Sequence, residues 1–417
     1  MKAKTTGWPL LASAAVAISA SLFTPILSAV AGGRAFAGAL SHSAAVPTIT
    51  AGTPIPVGSG PAAIAITPNG ETAYVANGTA GTVTPINTAT NKPGPAITVG
   101  REPGAIAITP NGKTAFVANT TSGTVTPIDT ATNTAGPPIT VGRFPFSIAI
   151  TPTGATAYVS DFGSGVVTAI ATATGRVTAQ ITVGRQPQAI AITPNGSTAY
   201  VANFGSASIS PIDTATNKAG LAIPVGSEPY ALAIVPHHQS MYVINYASGT
   251  VTPISTTTNK AGPAIRVGTD PEAVAFTANG GTALVANEGS NSDTKIDTGT
   301  GGASTFPVGD APVSVFIVEC TGIGPGCDPD YKPIYGTVCD NNSGKTPSRG
   351  YFTTTPGTGE GLNQQGDLRP MSKRAGQPGG LRRIPLGLEP GPLAFSAKNA
   401  TLYIVNEGSN DVTPLRI

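Results

Sequence analysis

Short runs that alternate small and branched apolar residues recur along most of this 417-residue chain. In AIAIT at 105–109, alanine alternates with isoleucine, so an extended strand would carry one small face and one branched face. A turn-forming PNG separates this run from TAFVAN at 114–119. Two further runs, TVTPID at 124–129 and PPITVG at 137–142, complete a unit of four predicted strands.

The unit repeats with a period of 42 residues, marked by the proline that opens its first run. These prolines are Pro61, Pro103, Pro145, Pro187, Pro229 and Pro271; Pro312 follows after 41 residues, and Pro390 opens an incomplete copy. Four strands in about 40–45 residues are typical of a β-propeller blade. A β-solenoid is the alternative, although its rungs are usually shorter.

The two ends of the repeat predict how the ring closes. The last copy stops after a third strand at 411–417, while AGTPIPVG at 51–58 reads as a fourth strand with no blade before it. Pairing the N-terminal strand with the C-terminal blade would remove two exposed sheet edges. Residues 312–389 span 78 positions rather than 42. We therefore predict an all-β propeller of four-stranded blades, with seven blades or eight.

The second run carries a motif found in a known family. YVAN at 74–77, FVAN at 116–119 and YVSD at 158–161, with the P-x-A-I-A-I-T-P-N-G lead-in, resemble the YVTN repeat of YncE-like and surface-layer propellers. The resemblance covers about 48–311 and 390–417, and residues 319–381 depart from it. It implies a secreted or envelope protein, usually seven-bladed. The YncE branch is associated with single-stranded DNA binding, and lactonase-like and streptogramin-lyase-like enzymes use similar propellers.

The N-terminus predicts export. Lys2 and Lys4 precede an apolar stretch that starts at Trp8, and AFAG at 35–38 offers a small-residue cleavage site. We predict a signal peptide at 1–37, a tail at 38–47 and one propeller domain at 48–417, with an irregular insert at about 319–383. A retained membrane anchor is the alternative. The mature protein is then expected to be a monomer in the medium or the cell envelope, with no membrane span.

Charge adds little to this picture. Only 11% of residues are charged, and removal of Lys2, Lys4 and Arg34 with no acid moves the formal net charge from +2 to −1. No strong positive field remains to attract nucleic acid. The basic residues at 368–383 indicate either a binding segment for an anionic polymer or a disordered loop.

Residues that change between otherwise constant repeats are the candidates for binding. In a propeller, the loop entering the first strand and the loop after the second strand open on one rim. The predicted ligand-binding residues are Arg101, Arg143, Phe144, Asp161, Phe162, Arg185, Phe204, Glu228, Tyr246 and Asp270. The same loops also place Glu102, Gln186, Glu288, Glu389 and Glu407 on this rim.

Other candidate chemistry is sparse. The asparagine that ends each VAN motif is expected to bond its own turn rather than a ligand. With three histidines no metal site or cofactor is expected, and no catalytic motif is present. In an oxidising compartment, Cys320 and Cys327 are the predicted disulfide pair, leaving Cys339 without a partner.

Three functions follow from these observations. The first is a non-enzymatic binding or scaffold protein that recognises an envelope component or a protein on the loop rim. The second is a lactonase-like or lyase-like enzyme that uses Asp161, Glu228 or Asp270 as an acid or base. The third is single-stranded nucleic-acid binding by rim aromatics and arginines, which the net charge disfavours.

Overall fold

The computed structural model describes residues 50–277, 279–308, 312–318, 334–339, 349–353, 383–386 and 390–416. The predicted signal peptide, the tail, the Cys320–Cys327 pair, Glu389 and the basic residues at 368–382 lie outside these ranges. The predicted all-β propeller is confirmed. Seven four-stranded antiparallel blades come from the repeat, and we number them 1 to 7 by the order of their innermost strands.

Each blade runs outward from an innermost strand a to strands b, c and d. The a strands are Pro61–Ile66, Pro103–Ile108, Pro145–Ile150, Pro187–Ile192, Pro229–Ile234, Pro271–Phe276 and Pro390–Ser396. The b strands are Thr72–Asn77, Thr114–Asn119, Thr156–Asp161, Thr198–Asn203, Ser240–Asn245, Thr282–Asn287 and Thr401–Asn406. The c strands are Thr82–Asn87, Thr124–Asp129, Val166–Ala171, Ser208–Asp213, Thr250–Ser255, Ser292–Asp297 and Asp411–Arg416.

Proline in strand c decides whether the outer strand d is continuous. Where strand c has alanine or lysine, at Ala169 and Lys295, strand d is unbroken (Arg176–Thr182 and Ala303–Pro307). Where strand c has proline, no N–H is available to the outer edge and strand d splits. The split pairs are Lys92–Pro93 and Ile97–Thr98, Thr134–Ala135 and Ile139–Thr140, Lys218–Ala219 and Ile223–Pro224, Lys260–Ala261 and Ile265–Arg266, and Thr50–Ala51 and Ile55–Pro56.

The last of these pairs belongs to blade 7, where the two ends of the described chain meet. Thr50–Ala51 and Ile55–Pro56 pair antiparallel with Asp411–Arg416, on either side of Pro414. Two short 3-10 turns, Phe204–Ser206 and Glu288–Ser290, are the helical segments of the described residues.

The irregular segment also forms a four-stranded antiparallel sheet. Its strands are Pro312–Val318, Ile334–Cys339, Arg349–Thr353 and Arg383–Pro385. Val315 packs with Ala273 and Leu284 of blade 6, and Ser314 Oγ donates a hydrogen bond to the carbonyl of Gly391 in blade 7 at 3.1 Å. This eighth sheet therefore lies between blades 6 and 7, in the part of the chain where the repeat spacing predicted seven blades or eight.

The core lies between blades rather than inside any one of them. Ala63 and Tyr74 on one face of blade 1 pack against Ile106 and Val117 on the facing side of blade 2. The same small-on-branched contact recurs around the ring, for example between blades 4 and 5. The alternation in AIAIT thus supplies both faces of a strand that is buried on two sides.

A buried hydroxyl joins neighbouring blades at the outer end of this core. Tyr200 of blade 4 donates to Asn259 Oδ1 in the turn between strands c and d of blade 5 at 2.6 Å. Equivalent bonds join Tyr74 to Asn133, Tyr158 to Asn217 and Tyr403 to Asn91. Blade 2 has Phe116 in place of the tyrosine, and the facing turn of blade 3 has Gly175 in place of the asparagine.

We expect the substitution Tyr200→Phe to lower the free energy of unfolding by about 1 kcal/mol, because it removes this hydrogen bond and leaves the ring in place. Tyr242→Phe is the matched control, since the facing turn of blade 6 has Gly301 where the others have asparagine. Urea unfolding followed by far-ultraviolet circular dichroism measures both. Equal effects of the two substitutions would contradict the proposed role of the asparagine.

Candidate functional site

The loop entering strand a and the loop after strand b lie together, as the sequence predicts. The amide of Phe162 donates to the carbonyl of Phe144 at 3.0 Å, and that of Glu288 donates to the carbonyl of Asp270 at 2.9 Å. We call this face of the ring the entry rim. It consists of the residues before each a-strand proline together with the loops that follow the b strands.

The residue before the a-strand proline has a left-handed backbone in six successive blades. In blade 1 it is Gly60, with φ of 61°, for which this conformation carries no steric penalty. In blades 2 to 6 the residues are Glu102 (φ 51°), Phe144 (52°), Gln186 (52°), Glu228 (54°) and Asp270 (49°). A side chain in this region costs about 1–2 kcal/mol. The fold accepts glycine here, so five other side chains are retained at a cost in stability.

The residue after the same proline sits at a β-bulge. The register between strands a and b shifts at this point, between Pro229 and Ala231 in blade 5 and between Pro271 and Ala273 in blade 6. A bulge frees its residue from the ladder and redirects its side chain. We call the bulge residues of blades 3 to 6 the inner arc: Phe146, Gln188, Tyr230 and Glu272. The equivalent residues in blades 1 and 2 are Ala62 and Gly104.

The inner arc makes direct contact with the predicted rim aromatics. The ring centroids of Phe146 and Phe162 lie 6.1 Å apart, and those of Tyr230 and Tyr246 lie 5.9 Å apart with planes tilted by 43°. Arg143 lies over the ring of Phe144 with its guanidinium carbon 5.6 Å from the centroid. Aromatic faces and a cation are therefore presented together along blades 3 to 5.

Two carboxyl groups meet at the blade 6 end of the arc. Glu272 and Glu288 are both half-buried, and their side chains are hydrogen bonded to each other. Burial first, then the charge of Glu288, raises the pKa of Glu272 from 4.5 to about 9. Asp270 raises it further. A raised pKa favours the protonated form of Glu272 at neutral pH.

The same carboxyl groups raise the pKa values of the neighbouring tyrosines. Burial and the charges of Asp270 and Glu288 raise the pKa of Tyr246 to about 12. Burial and the charge of Glu272 raise the pKa of Tyr230 above its ordinary value. We call Tyr230, Tyr246, Glu272 and Glu288 the acid–tyrosine corner.

The structure brings together most of the residues expected on this rim. Arg101, Arg143 and Arg185 are exposed, and Phe144 is 44% exposed. Half-buried beside them are Phe162, Gln186, Phe204, Glu228, Tyr246, Asp270 and Glu288. Arginines thus lie on blades 2 to 4, with Glu102 next to Arg101 in blade 2, while the charged residues of this rim on blades 5 and 6 are all acidic. Whether this surface binds a ligand stays a prediction.

Asp161 lies below this surface and is fully buried. It occupies the position of the VAN asparagine in blade 3, where Thr168 Oγ1 donates to its Oδ2 at 2.6 Å. Burial raises the pKa of Asp161 to about 6, against hydrogen bonds from Thr168 and Gly142 that lower it. The expected place among the exposed rim residues was wrong for this one residue, because the asparagine position is enclosed between strands b and c.

The asparagines that end the other b strands hold the blade together. Asn119 Nδ2 donates to the hydroxyls of Thr124 and Thr126 at 3.1 and 2.9 Å, and its Oδ1 accepts from the amide of Gly100 at 3.1 Å.

Within the described ranges, no group of three or more histidine, cysteine, aspartate or glutamate residues is arranged to hold a metal ion. No helix in those ranges is long and apolar enough to span a bilayer.

The inner arc was missed from the sequence, although the signal for it was present. The residue after the proline reads Ala62, Gly104, Phe146, Gln188, Tyr230 and Glu272 in consecutive copies, while the AIAI run beyond it stays nearly constant. This is the same criterion that identified the entry loops. A residue at the start of a predicted strand is expected to follow the regular ladder, and the sequence alone does not reveal the bulge at this position.

Comparison with known protein families finds no family that matches this chain, and no curated protein matches it in sequence. Among solved structures, it is similar to a chain from the structure described as Kuenenia stuttgartiensis Hydrazine Synthase. The TM-score is 0.57 at 20% identity, over 91% of this chain and 99% of that chain. Likeness at this identity shows the propeller fold alone, and the YVTN family stays a prediction.

We expect Gln186→Gly to leave the free energy of unfolding unchanged or to raise it by about 1 kcal/mol, because glycine adopts φ of 52° without strain. The matched control is Gln180→Gly, an exposed position inside the continuous d strand of blade 3, where glycine should cost about 0.5–1 kcal/mol. Urea unfolding of both variants measures the difference. Equal losses would show that Gln186 is not strained.

The raised pKa of Glu272 predicts how stability changes with pH. The folded protein keeps this proton after the unfolded chain has lost it, so the free energy of unfolding falls as pH rises from about 5 to about 9. Glu272→Gln removes this titrating group, so the free energy of unfolding of the variant should rise relative to that of the wild type between pH 5 and pH 9. The control is Glu71→Gln, because Lys398 lowers the pKa of Glu71. Thermal unfolding at pH 5, 7 and 9 measures this difference. The same pH dependence of stability in the wild type and in Glu272→Gln would contradict the assignment.

Proposed function

We propose that this protein is an exported β-propeller that binds a ligand on its entry rim, with the contact surface on blades 2 to 6. The observation that carries the proposal is the run of five non-glycine side chains in the left-handed conformation before the a-strand prolines. Strain of this kind persists in proteins where a side chain is needed at that place.

The position and chemistry of the inner arc support the same proposal. Blades 3 to 6 carry two aromatic residues, an amide and a carboxyl group at the bulge, whereas blades 1 and 2 carry alanine and glycine. The a strands beyond the bulge are nearly identical in all six blades. The differences are concentrated on one side of one face.

The charges of the rim restrict the class of ligand. Arg101, Arg143 and Arg185 would meet an anionic group on blades 2 to 4, and Asp270 with the acid–tyrosine corner would meet a cationic group on blades 5 and 6. A long polyanion would cross both regions and be repelled by the second. This disfavours the nucleic-acid alternative and favours a ligand with both signs of charge, such as an envelope component or a protein segment.

A second candidate function, a lyase-like or hydrolytic enzyme, is favoured by one observation. A carboxyl group that stays protonated at neutral pH is a suitable general acid, and Glu272 fits that requirement better than the buried Asp161. Under this candidate, Glu272→Gln would abolish turnover of lactone substrates while ligand binding persists.

The test of binding is retention of molecules from a cell-envelope extract by the immobilised protein. The rim variant replaces Arg101, Arg143, Arg185, Phe162 and Phe204 with alanine. We expect a species that the wild type retains and the folded rim variant loses. The control variant replaces Lys92, Lys113 and Lys218 with alanine; these lysines are exposed on the opposite face. This control should retain the species as the wild type does. Equal retention by the rim variant and the wild type would remove the entry rim as the binding surface.

A further inference from the structure

The acid–tyrosine corner has the composition of a site for an organic cation. Tyr230 and Tyr246 present two rings 5.9 Å apart and tilted by 43°, beside the hydrogen-bonded carboxyl groups of Glu272 and Glu288. Aromatic faces attract ammonium groups through the ring quadrupole, and carboxylates accept their N–H bonds. A metal ion would gain nothing from the two rings.

A separate observation on the inner arc points to a ligand that donates hydrogen bonds. Gln188 is the bulge residue of blade 4, equivalent to Tyr230 in blade 5, and the residue is 3% exposed. Its Oε1 has no hydrogen-bond partner. Because equivalent residues of a repeat project in the same direction from their blades, Gln188 faces the same inner edge of the entry rim as Tyr230. A buried acceptor without a donor costs about 1–3 kcal/mol unless something binds to it.

We propose that the acid–tyrosine corner binds the ammonium group of a ligand, which takes the place of the proton shared by Glu272 and Glu288. The inference rests on the proposed function, since it names the class of ligand for that rim. When the ammonium group enters, the shared proton passes to solvent and both carboxyl groups become acceptors of its N–H bonds.

The charges around the pair define the pH range of this exchange. Glu272 interacts with Glu288 and with Asp270 of its own entry loop. Its charge also raises the pKa values of Tyr230 and Tyr246. The charge of Glu228 contributes to the raised pKa of Tyr246. All of these groups are neutral or negative. A cation is therefore the only ligand charge that relieves their mutual repulsion, and it binds more tightly as the pair loses its proton.

The test is isothermal titration of the full chain with 2-phenylethylamine, using 2-phenylethanol as the neutral probe of the same shape. Titrations at pH 7 in buffers of different ionisation enthalpy measure the protons released. We expect about one proton released per amine bound, and an affinity that rises by up to about tenfold per pH unit from pH 6 to 8. The alcohol should bind at least about tenfold more weakly and release none.

Variants separate this site from general binding. Glu272→Gln and Glu288→Gln should each weaken amine binding by about tenfold or more and abolish the proton release, whereas Glu71→Gln on the opposite face should change neither. Circular dichroism and the thermal midpoint establish that each variant is folded, and Tyr246→Phe, which keeps the ring, should retain proton release. Two glutamate variants provide a result even if one of them fails to fold.

Several outcomes would overturn the inference. Amine binding without proton release, equal binding of amine and alcohol, or tight binding of Ca²⁺ at the same glutamates would each contradict it. Loss of the amine site with intact retention of an envelope species would remove this inference and leave the proposed function standing. Proton-linked amine binding with no rim-dependent retention would support the cation site and remove the proposed envelope ligand.

Discussion

The packing of one blade face against the next is the constraint on which the rest of this structure depends. Each a strand is buried on both sides, so it must offer small residues to one neighbour and branched residues to the other, as Ala63 and Ile64 do in blade 1. The alternation is fixed by the two-residue period of a strand. This requirement explains why the repeat is nearly constant, and why changes in it are informative.

The fixed core leaves two places in each blade where the chain can vary. One is the left-handed residue before the a-strand proline, and the other is the bulge residue after it. Both lie outside the regular ladder between strands a and b, so their residue types can change while the strands keep their register. Blades 3 to 6 use these places for aromatic, amide and acidic residues. These residues lie at the inner edge of the entry rim, where Phe146 and Gln188 are buried, Tyr230 packs against the core between blades 5 and 6, and Glu272 is half-buried.

Much of the fold could be predicted from the sequence because its cause is local and repeated. The 42-residue period, the alternation in AIAIT and the turn residues each have one structural consequence. The split of strand d opposite Pro127 was not predicted, because PPITVG at 137–142 reads as one strand; the missing N–H of the proline divides it, whereas strand d opposite Ala169 is continuous. The pairing of Glu272 with Glu288 could not be predicted, because it needs a bulge that no residue type marks. Asp161 was placed on the surface because the enclosure of its repeat position depends on three strands at once.

The constant positions build the ring, and we propose that the variable positions on one rim carry the function. The most direct measurement compares the wild type with a variant in which Gln188, Tyr230 and Glu272 are all replaced by alanine, the residue at the same position in blade 1. Urea unfolding and retention of envelope species would be measured on both proteins. The account predicts cooperative unfolding in both and retention by the wild type alone. Loss of the fold in the variant, or unchanged retention by a folded variant, would contradict it.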